Sequence, residues 1–290
     1  VVMLRLQNMD EPALALARQV APAVFAPRLL QTLLRVLAWL AFLALTMYCL
    51  WLFEMSPLRF VNGLGTLLHI VAQMFPPTAG DMLATYLMSM LQTVGMAFIG
   101  TVFAAVLALP LGLLGAKNML SNGLAHFLFR RSSDVLRGVD QLIWALIFVR
   151  AVGLGPLAGI LAIIISDTGT LAKLYSEAIE NIDKKPVEGV RSVGGGPLHA
   201  IRYGVLPQVL PVMLSNMLYT FESNTRSATI LGIVGAGGIG FYLSDRVRTM
   251  NWEDASFILL LILLTVYLID HLSGFIRSRL IRGQVAKQPV

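Results

Sequence analysis

Glu222 and Arg226 stand four residues apart inside an apolar stretch, 208–235, that is long enough to cross a bilayer. At i and i+4 they share one helical face, with the acid N-terminal to the base, the better order for pairing. A charged side chain at membrane depth costs at least about 2.5 kcal/mol on insertion scales, so such residues are rarely idle. Asn224 and Thr225 lie between them, and Ser223 and Ser227 add hydroxyls. This face either lines a polar passage or locks neighbouring helices through a structural ion pair. Asp167, in Ser166-Asp167-Thr168, is a further acid inside an apolar stretch. It is expected to accept from Arg226 or Arg150, or to make a polar helix-packing contact.

A second group of polar residues sits between apolar stretches, in the island from Ser176 to Pro211, SEAIENIDKKPVEGVRSVGGGPLHAIRYGVLPQVLP. It holds Glu177, Glu180, Asp183, Lys184, Lys185, Glu188, Arg191 and Arg202. A short helix is expected to stop at Gly194-Gly195-Gly196-Pro197, where propagation is unfavourable, and a second to run over about 198–203. A charged, Gly-broken loop of this length presents a surface to a soluble partner.

The elements that position these residues follow from composition. The chain of 290 residues is 57% hydrophobic and 13% charged, where globular domains carry about 25% charged residues. With a mean hydropathy of +0.75 it reads as a membrane protein. Six segments are expected to span, near 33–53, 84–114, 134–153, 156–176, 208–235 and 255–276. The second is too long for one perpendicular span and should tilt, or kink near Pro110. Gly153-Leu154-Gly155-Pro156 joins the third to the fourth as a tight turn. The first apolar run begins near Leu29, too far in and too long for a cleaved leader.

Orientation follows from the cations. With the N-terminus inside, seventeen Lys and Arg fall on the inner side, three (Arg59, Arg246, Arg248) on the outer side, and Arg150 and Arg226 within spans. That bias places both termini and the polar island in the cytoplasm. The net charge of +6 is spread between spans, which fits membrane orientation and argues against nucleic acid as a partner. The organisation is then 1–32 as a cytoplasmic or interfacial segment with short helices over 11–31, 33–53 as the first span, and 54–83 as an outer amphipathic segment. A core of 84–276 follows, with its loop at 177–211, and then a cytoplasmic tail at 277–290.

Within the island, Glu188, Gly194, Leu206 and Pro207 have the spacing of the cytoplasmic signature of ABC-importer permeases: Glu-Ala-Ala, three residues, Gly, nine residues, Ile, one residue, Leu-Pro. Gly189 and Val190 replace the two alanines, and Gly204 replaces the isoleucine. Residues 219–240 (YTFESNTRSATILGIVGAGGIG), with WALIFVRAVGLGPLAGILA at 144–162 and EAIENID at 177–183, are similar to the membrane subunit of phosphonate importers (PhnE type). The likeness runs from about 76 to 279. It implies an all-α, six-helix type I ABC importer (MetI-like) permease fold in the bacterial inner membrane. It also implies a homodimer in the lipid bilayer, two ATP-binding subunits and a periplasmic phosphonate-binding protein. ATP-Mg belongs to the ATPase, and this chain binds no cofactor.

Under that resemblance Glu188, Gly194, His199, Arg202, Leu206 and Pro207 couple to the ATPase, and Glu222, Asn224, Arg226, Ser227, Asp167 and Thr168 line the substrate pathway. Arg226 would meet a phosphonate or phosphite through its planar fork of donors. Glu222 would keep that contact weak enough for release. Another small solute such as phosphate is the alternative cargo; a membrane-embedded enzyme is an alternative class, as is a passive scaffold or channel, which does not explain the Gly-broken loop. The chain has no H-E-x-x-H, G-x-S-x-G or G-x-x-x-x-G-K-[ST], which argues against an intrinsic protease, hydrolase or ATPase. Gly235–Gly240 matches G-x-G-x-x-G, but at the end of a span it reads as helix packing or a hinge rather than a nucleotide loop. Gly155-Pro-Leu-Ala-Gly159 likewise reads as a helix contact. Cys49 is the single cysteine, and His69, His126, His199 and His271 are scattered, so no metal site is expected. Arg246, Arg248, Glu253 and Asp254 are candidates for docking the binding protein on the outer side.

Overall fold

The computed structural model describes residues 29–119 and 123–285. The described residues form helices and turns, with no strand among them. Of the interfacial helices expected over 11–31, everything up to residue 28 lies outside this description, as do Arg5, Arg18, Arg28 and Lys287. The chain divides into two compact units, one ending at His69 and the other beginning at Ile70.

The first unit holds α1 (Leu29–Leu52) and most of α2 (Pro57–Gln73). Between them Glu54 takes a positive φ of 49°. Ser56 Oγ then accepts the Arg59 N–H at 3.2 Å, a cap on α2 with proline at its first position. The helix α1 overlaps the apolar stretch at 33–53, and α2 lies within 54–83. All described side chains of α1 are exposed except that of Cys49, the pattern of a helix whose surroundings are lipid.

In the second unit, α3 (Leu83–Gly115) runs unbroken through Pro110 for 33 residues, about 50 Å at 1.5 Å per residue. That exceeds a hydrocarbon core of about 30 Å. Its neighbour α6 (Pro156–Glu180) packs along it through small residues: Ala97, Ala104, Ala105 and Ala108 face Ala162, Ala172 and their surroundings in two buried clusters. Lipid tails are as apolar as leucine, so close approach of small side chains is what holds such helices together.

The expected span at 134–153 is divided. Residues Gly123–Gly138 form α4 and Gln141–Val152 form α5, separated at Val139-Asp140. Asp140 caps α5, its carboxylate accepting the Leu142 N–H at 2.8 Å. At 12 residues α5 is about 18 Å long and cannot cross alone. The two helices share α6 instead. A Cβ on Gly169 would lie 2.7 Å from Ser133 O and 2.9 Å from Arg137 N, so α4 crosses α6 there. Arg130 reaches Glu180 at 3.5 Å at one end of α6, while Ala145 of α5 is buried with Ala162 and Ile163 nearer the other. The break therefore falls beside the middle of α6.

After α6 come α7 (Lys184–Ser192), one α turn, α8 (Pro197–His199), a π-helical stretch Ala200–Val205, and α9 (Leu206–Leu231). A second π-helical stretch, Gly232–Ala236, leads to α10 (Ile239–Arg248) and α11 (Trp252–Val285). Among the described helices, α1, α3, α6 and α11 are each long and apolar enough to cross a membrane. Pro197–Ala236 passes the same test together with α10, from which it is bent by 63°.

The bend at 235–240 is where glycine is required. Gly235, Gly237 and Gly238 have φ of 96°, 81° and 76°, a region that side chains avoid. The Gly155 N–H donates to Gly235 O at 3.0 Å, tying the bend to the turn at 153–156. Thr93 Oγ1 accepts the Ile239 N–H at 2.8 Å. The bend joins two helices with no strand before it, so the G-x-G-x-x-G spacing here serves packing, as expected. Gly159 is likewise a contact, since a Cβ there would sit 3.2 Å from Ala236 Cβ.

Candidate functional site

The break between α4 and α5 opens onto a cavity of about 360 Å³. Irregular backbone at membrane depth is tolerated where it lines a cavity, and this one is lined mainly from α6, α9 and the α4–α5 junction. Ser166, Thr170, Thr220, Ser223 and Ser227 contribute hydroxyls to its wall. Arg137 is the only cation among its lining residues, and Asp140 and Asp167 are its acids.

Asp167 is 6% exposed. It accepts from Gln141 Nε2 at 2.9 Å and from Asn224 Nδ2. Gln141 Nε2 also donates to Asn224 Oδ1 at 3.0 Å, and Asn224 Nδ2 donates to Thr101 Oγ1 at 2.8 Å. Asn224 thus ties α9 to α3 and α6, and Gln141 adds the start of α5. The expected partners of Asp167, Arg226 and Arg150, are replaced by these two amides. Arg226 is engaged on another side of α9, and Arg150 lies on the last turn of α5, away from the junction that Gln141 occupies.

Of the expected pathway residues, Asp167, Asn224 and Ser227 line the cavity, and Glu222, Arg226 and Thr168 do not. Thr168 donates to Ile164 O at 2.6 Å within its own helix. Glu222 and Arg226 do pair, at 3.6 Å, but within a longer chain of charges: Arg226 also reaches Asp270 at 3.4 Å and Glu222 reaches Arg277 at 3.1 Å. Asp270 and Arg277 belong to α11, so this chain braces α9 against α11. Glu222 is mostly buried, with its side chain 17% exposed, while that of Arg226 is 47% exposed.

Sequence reasoning missed Gln141, Asp140 and Arg137 at the cavity and Asp270 and Arg277 in the ion chain. The signals are there. Arg137-Gly138-Val139-Asp140-Gln141 is a polar interruption within 134–153, and Asp270 is an acid inside 255–276.

The polar island folds as two short helical pieces around the glycines. Asp183 caps α7 by accepting the Lys185 N–H at 3.1 Å. Gly194 has φ of 83° and its N–H returns to Arg191 O, while the Gly195 N–H returns to Val190 O, both at 3.0 Å. These bonds close the C-terminus of α7. The chain then turns into α8 and the π-helical stretch, a little longer than the expected 198–203 helix. Gly204 explains one departure from the permease signature: a Cβ there would sit 2.9 Å from Val187 Cα, so the π-helical stretch packs directly on α7. Gln208 fixes the same corner, donating to Asp183 O at 3.1 Å and Gly204 O at 2.6 Å. Glu188, His199, Arg202 and Pro207 are exposed, as are Val193 and Leu198, which are 84% and 79% exposed. The His199 ring stacks on Tyr203 at 6.4 Å between centroids, and Arg202 lies over the same ring at 5.5 Å.

At the far end of α3, Tyr86 is buried. Its hydroxyl donates to Asp254 at 2.7 Å and accepts from Arg246 Nε at 2.9 Å, and Arg246 pairs with Asp254 at 3.3 Å. Two of the four outer-side docking candidates are thereby committed to each other. Arg248 and Glu253 are exposed. No cluster of three metal-ligating side chains occurs among the described residues.

Residues 108–284 match the family described as "Binding-protein-dependent transport system inner membrane component". The chain belongs to this family. A phosphate-import permease protein, PhnE of Mycolicibacterium smegmatis, is 40% identical over 79% of this chain, which spans 43% of that relative's length. A phosphite transport system permease protein, PtxC of Stutzerimonas stutzeri, is 36% identical over 75% of this chain and 79% of its own. Among solved structures, an inward-facing MetNI methionine ABC transporter matches with a TM-score of 0.59 at 21% identity, over 70% of this chain and 99% of the matched chain. The fold is thus the all-α, MetI-like permease fold that was expected; among the described residues four helices, or five spans with the bent pair, have the length and hydropathy to cross, against the six expected. Family membership makes the chain an inner-membrane component of a binding-protein-dependent transport system.

Proposed function

We propose that the chain is the permease of an importer for phosphonates or phosphite, and that two copies enclose the passage. The observation that carries the cargo is sequence identity of 36–50% to permeases named for phosphate, phosphite and phosphonate transport. The cavity wall supports it through the hydroxyls of Ser166, Ser223 and Ser227, groups that replace water around a small oxyanion without holding it too tightly. Asp167, Asn224 and Ser227 belong to that wall. Glu222 and Arg226 act in this reading as part of the brace to α11, and Thr168 supports α6.

Coupling to two ATPase subunits, which carry the ATP-Mg, runs through the 183–207 loop. Glu188, His199 and Arg202 supply exposed contacts, while Gly194 and the Leu206-Pro207 corner set the angle between its two pieces. Both termini and this loop face the cytoplasm in this reading, following the cation bias. ATP binding closes the ATPases, the loops move, and the cavity alternates between a docked periplasmic binding protein and the cytoplasm.

The test is reconstitution with the partner ATPase and binding protein in proteoliposomes. ATP-dependent accumulation of labelled methylphosphonate or phosphite is the expected result. Accumulation of phosphate alone would move the chain to phosphate import, and failure to bind an ATPase chain would overturn the importer assembly.

A further inference from the structure

The acids of the cavity are at odds with a passage for anions. Asp140 and Asp167 both line it, and only one cation, Arg137, does so. That cation is itself paired with a third acid, Asp134, at 3.0 Å. The charged and titratable groups facing the cavity are Asp167 from α6, Arg137 and Asp140 from the α4–α5 junction, and the Tyr219 phenol from α9. The neighbouring α3 presents the neutral Thr101 to the same network. A fully ionised oxyanion entering here meets more negative than positive charge, and in a low-dielectric site that repulsion is strong.

The remaining groups show what such a wall accepts. Ser166 is 8% exposed and lines the cavity. Ser223 and Ser227, one helical turn apart on α9, line it as well. These hydroxyls donate to unprotonated oxyanion oxygens. The carboxylates are pure acceptors, and each of their oxygens has room for a second bond. Asp140 uses Oδ1 on the Leu142 N–H, and Asp167 uses one oxygen for each amide. Both are left able to receive a proton donor from the cargo.

We propose that the passage selects phosphorus oxyanions that still carry an acidic proton: the cargo's P–OH donates to the carboxylate of Asp167 or Asp140, while the serine hydroxyls donate to its other oxygens. The inference rests on the cargo reading above. An O–H donated to a carboxylate is a short, strong bond, and the singly charged cargo is repelled less than the doubly charged one. The same two acids that deter an ionised anion thus welcome a protonated one, and an oxyanion that has no proton to offer near neutral pH, such as sulfate, is excluded.

The experiment uses the full complex in proteoliposomes, with cargo-loaded binding protein in excess. Uptake per ATP hydrolysed is followed across the second ionisation of methylphosphonate and of phosphite. In the wild type, uptake falls roughly tenfold for each pH unit beyond that ionisation, and the midpoint differs between the two cargoes. Asp167→Asn and Asp140→Asn flatten the fall. Binding protein and ATPase are the same throughout, so a difference between wild type and variant belongs to the permease. If the variants, or whichever of them assembles, keep the wild-type profile, or if the two cargoes share one midpoint, the proposal is overturned. Absence of uptake of both cargoes by the wild type would overturn the cargo reading instead.

Discussion

Asn224 on α9 donates to the carboxylate of Asp167 on α6, and these two helices are the ones that enter and leave the polar island. A movement of the loop that separates α6 from α9 must act on this bond, and through Gln141 it reaches the start of α5. The cavity wall and the loop are therefore mechanically continuous along two helices.

Gln141→Leu tests that continuity. It leaves Asp167 with the Asn224 donor but removes the tether from α5, at a stability cost of about 2 kcal/mol for a lost hydrogen bond to a charged group. The expected result is a complex that assembles, shows a lowered thermal midpoint, and hydrolyses more ATP per cargo moved. Uptake and hydrolysis measured on the same vesicles check it, and an unchanged ratio would remove Gln141 from the transmission path.

The ion chain across α9 and α11 has an asymmetric prediction. Glu222 sits between Arg226 and Arg277, so Glu222→Ala leaves two guanidinium groups near each other without their shared partner. Arg226→Ala leaves Glu222 still paired with Arg277. Thermal unfolding of the detergent-solubilised permease should show the larger loss for Glu222→Ala, by about 2 kcal/mol. Uptake by an assembled Arg226→Ala complex should stay near wild type. A large loss of uptake without loss of stability would return Arg226 to the passage.

How far the sequence could be read depended on the kind of signal. Long apolar stretches named α1, α3, α6 and α11, and the glycines of 194–196 placed the turn after α7, because length and backbone permissiveness are local properties. The broken segment 134–153 was harder. Residues 141–152 are apolar enough to suggest a span and so draw attention from the polar stretch before them, where Asp134, Arg137 and the cap Asp140 mark the break. Glu222 and Arg226 were legible as an i, i+4 pair, but spacing along one helix cannot say which neighbour lies opposite. That depended on Asp270 and Arg277, forty-four and fifty-five residues further along the chain. Gln141 gave the weakest signal of all, a single uncharged amide whose role exists only because the break brings it to Asp167.

The polar island tolerates little at Gly204. Replacing it with valine pushes a Cβ to within 2.9 Å of the Val187 backbone, so α7 must move off the π-helical stretch. Gly194→Val is different: its φ of 83° strains a β-branched residue, at about 1–2 kcal/mol. Both substitutions, and the charge reversal Glu188→Lys, are expected to lower uptake more than ATP hydrolysis. Hydrolysis and uptake that fall in parallel, or not at all, would place the contact with the ATPase elsewhere.

The end of α3 that carries Tyr86 separates structural charges from available ones. Tyr86, Arg246 and Asp254 satisfy one another around a buried phenol, so Tyr86→Phe leaves Asp254 and Arg246 each without one hydrogen bond. A destabilisation of about 1–2 kcal/mol follows, with the affinity for the binding protein unchanged once the complex is assembled. Arg248 and Glu253 are exposed beside the same end. Charge reversal there should slow association with the binding protein, most strongly at low ionic strength, while the thermal midpoint stays put. Association rates measured by surface-immobilised complex against free binding protein distinguish the two classes. Equal effects of Tyr86→Phe and Arg248→Glu on that rate would mean that the triad, rather than the exposed pair, forms the docking surface.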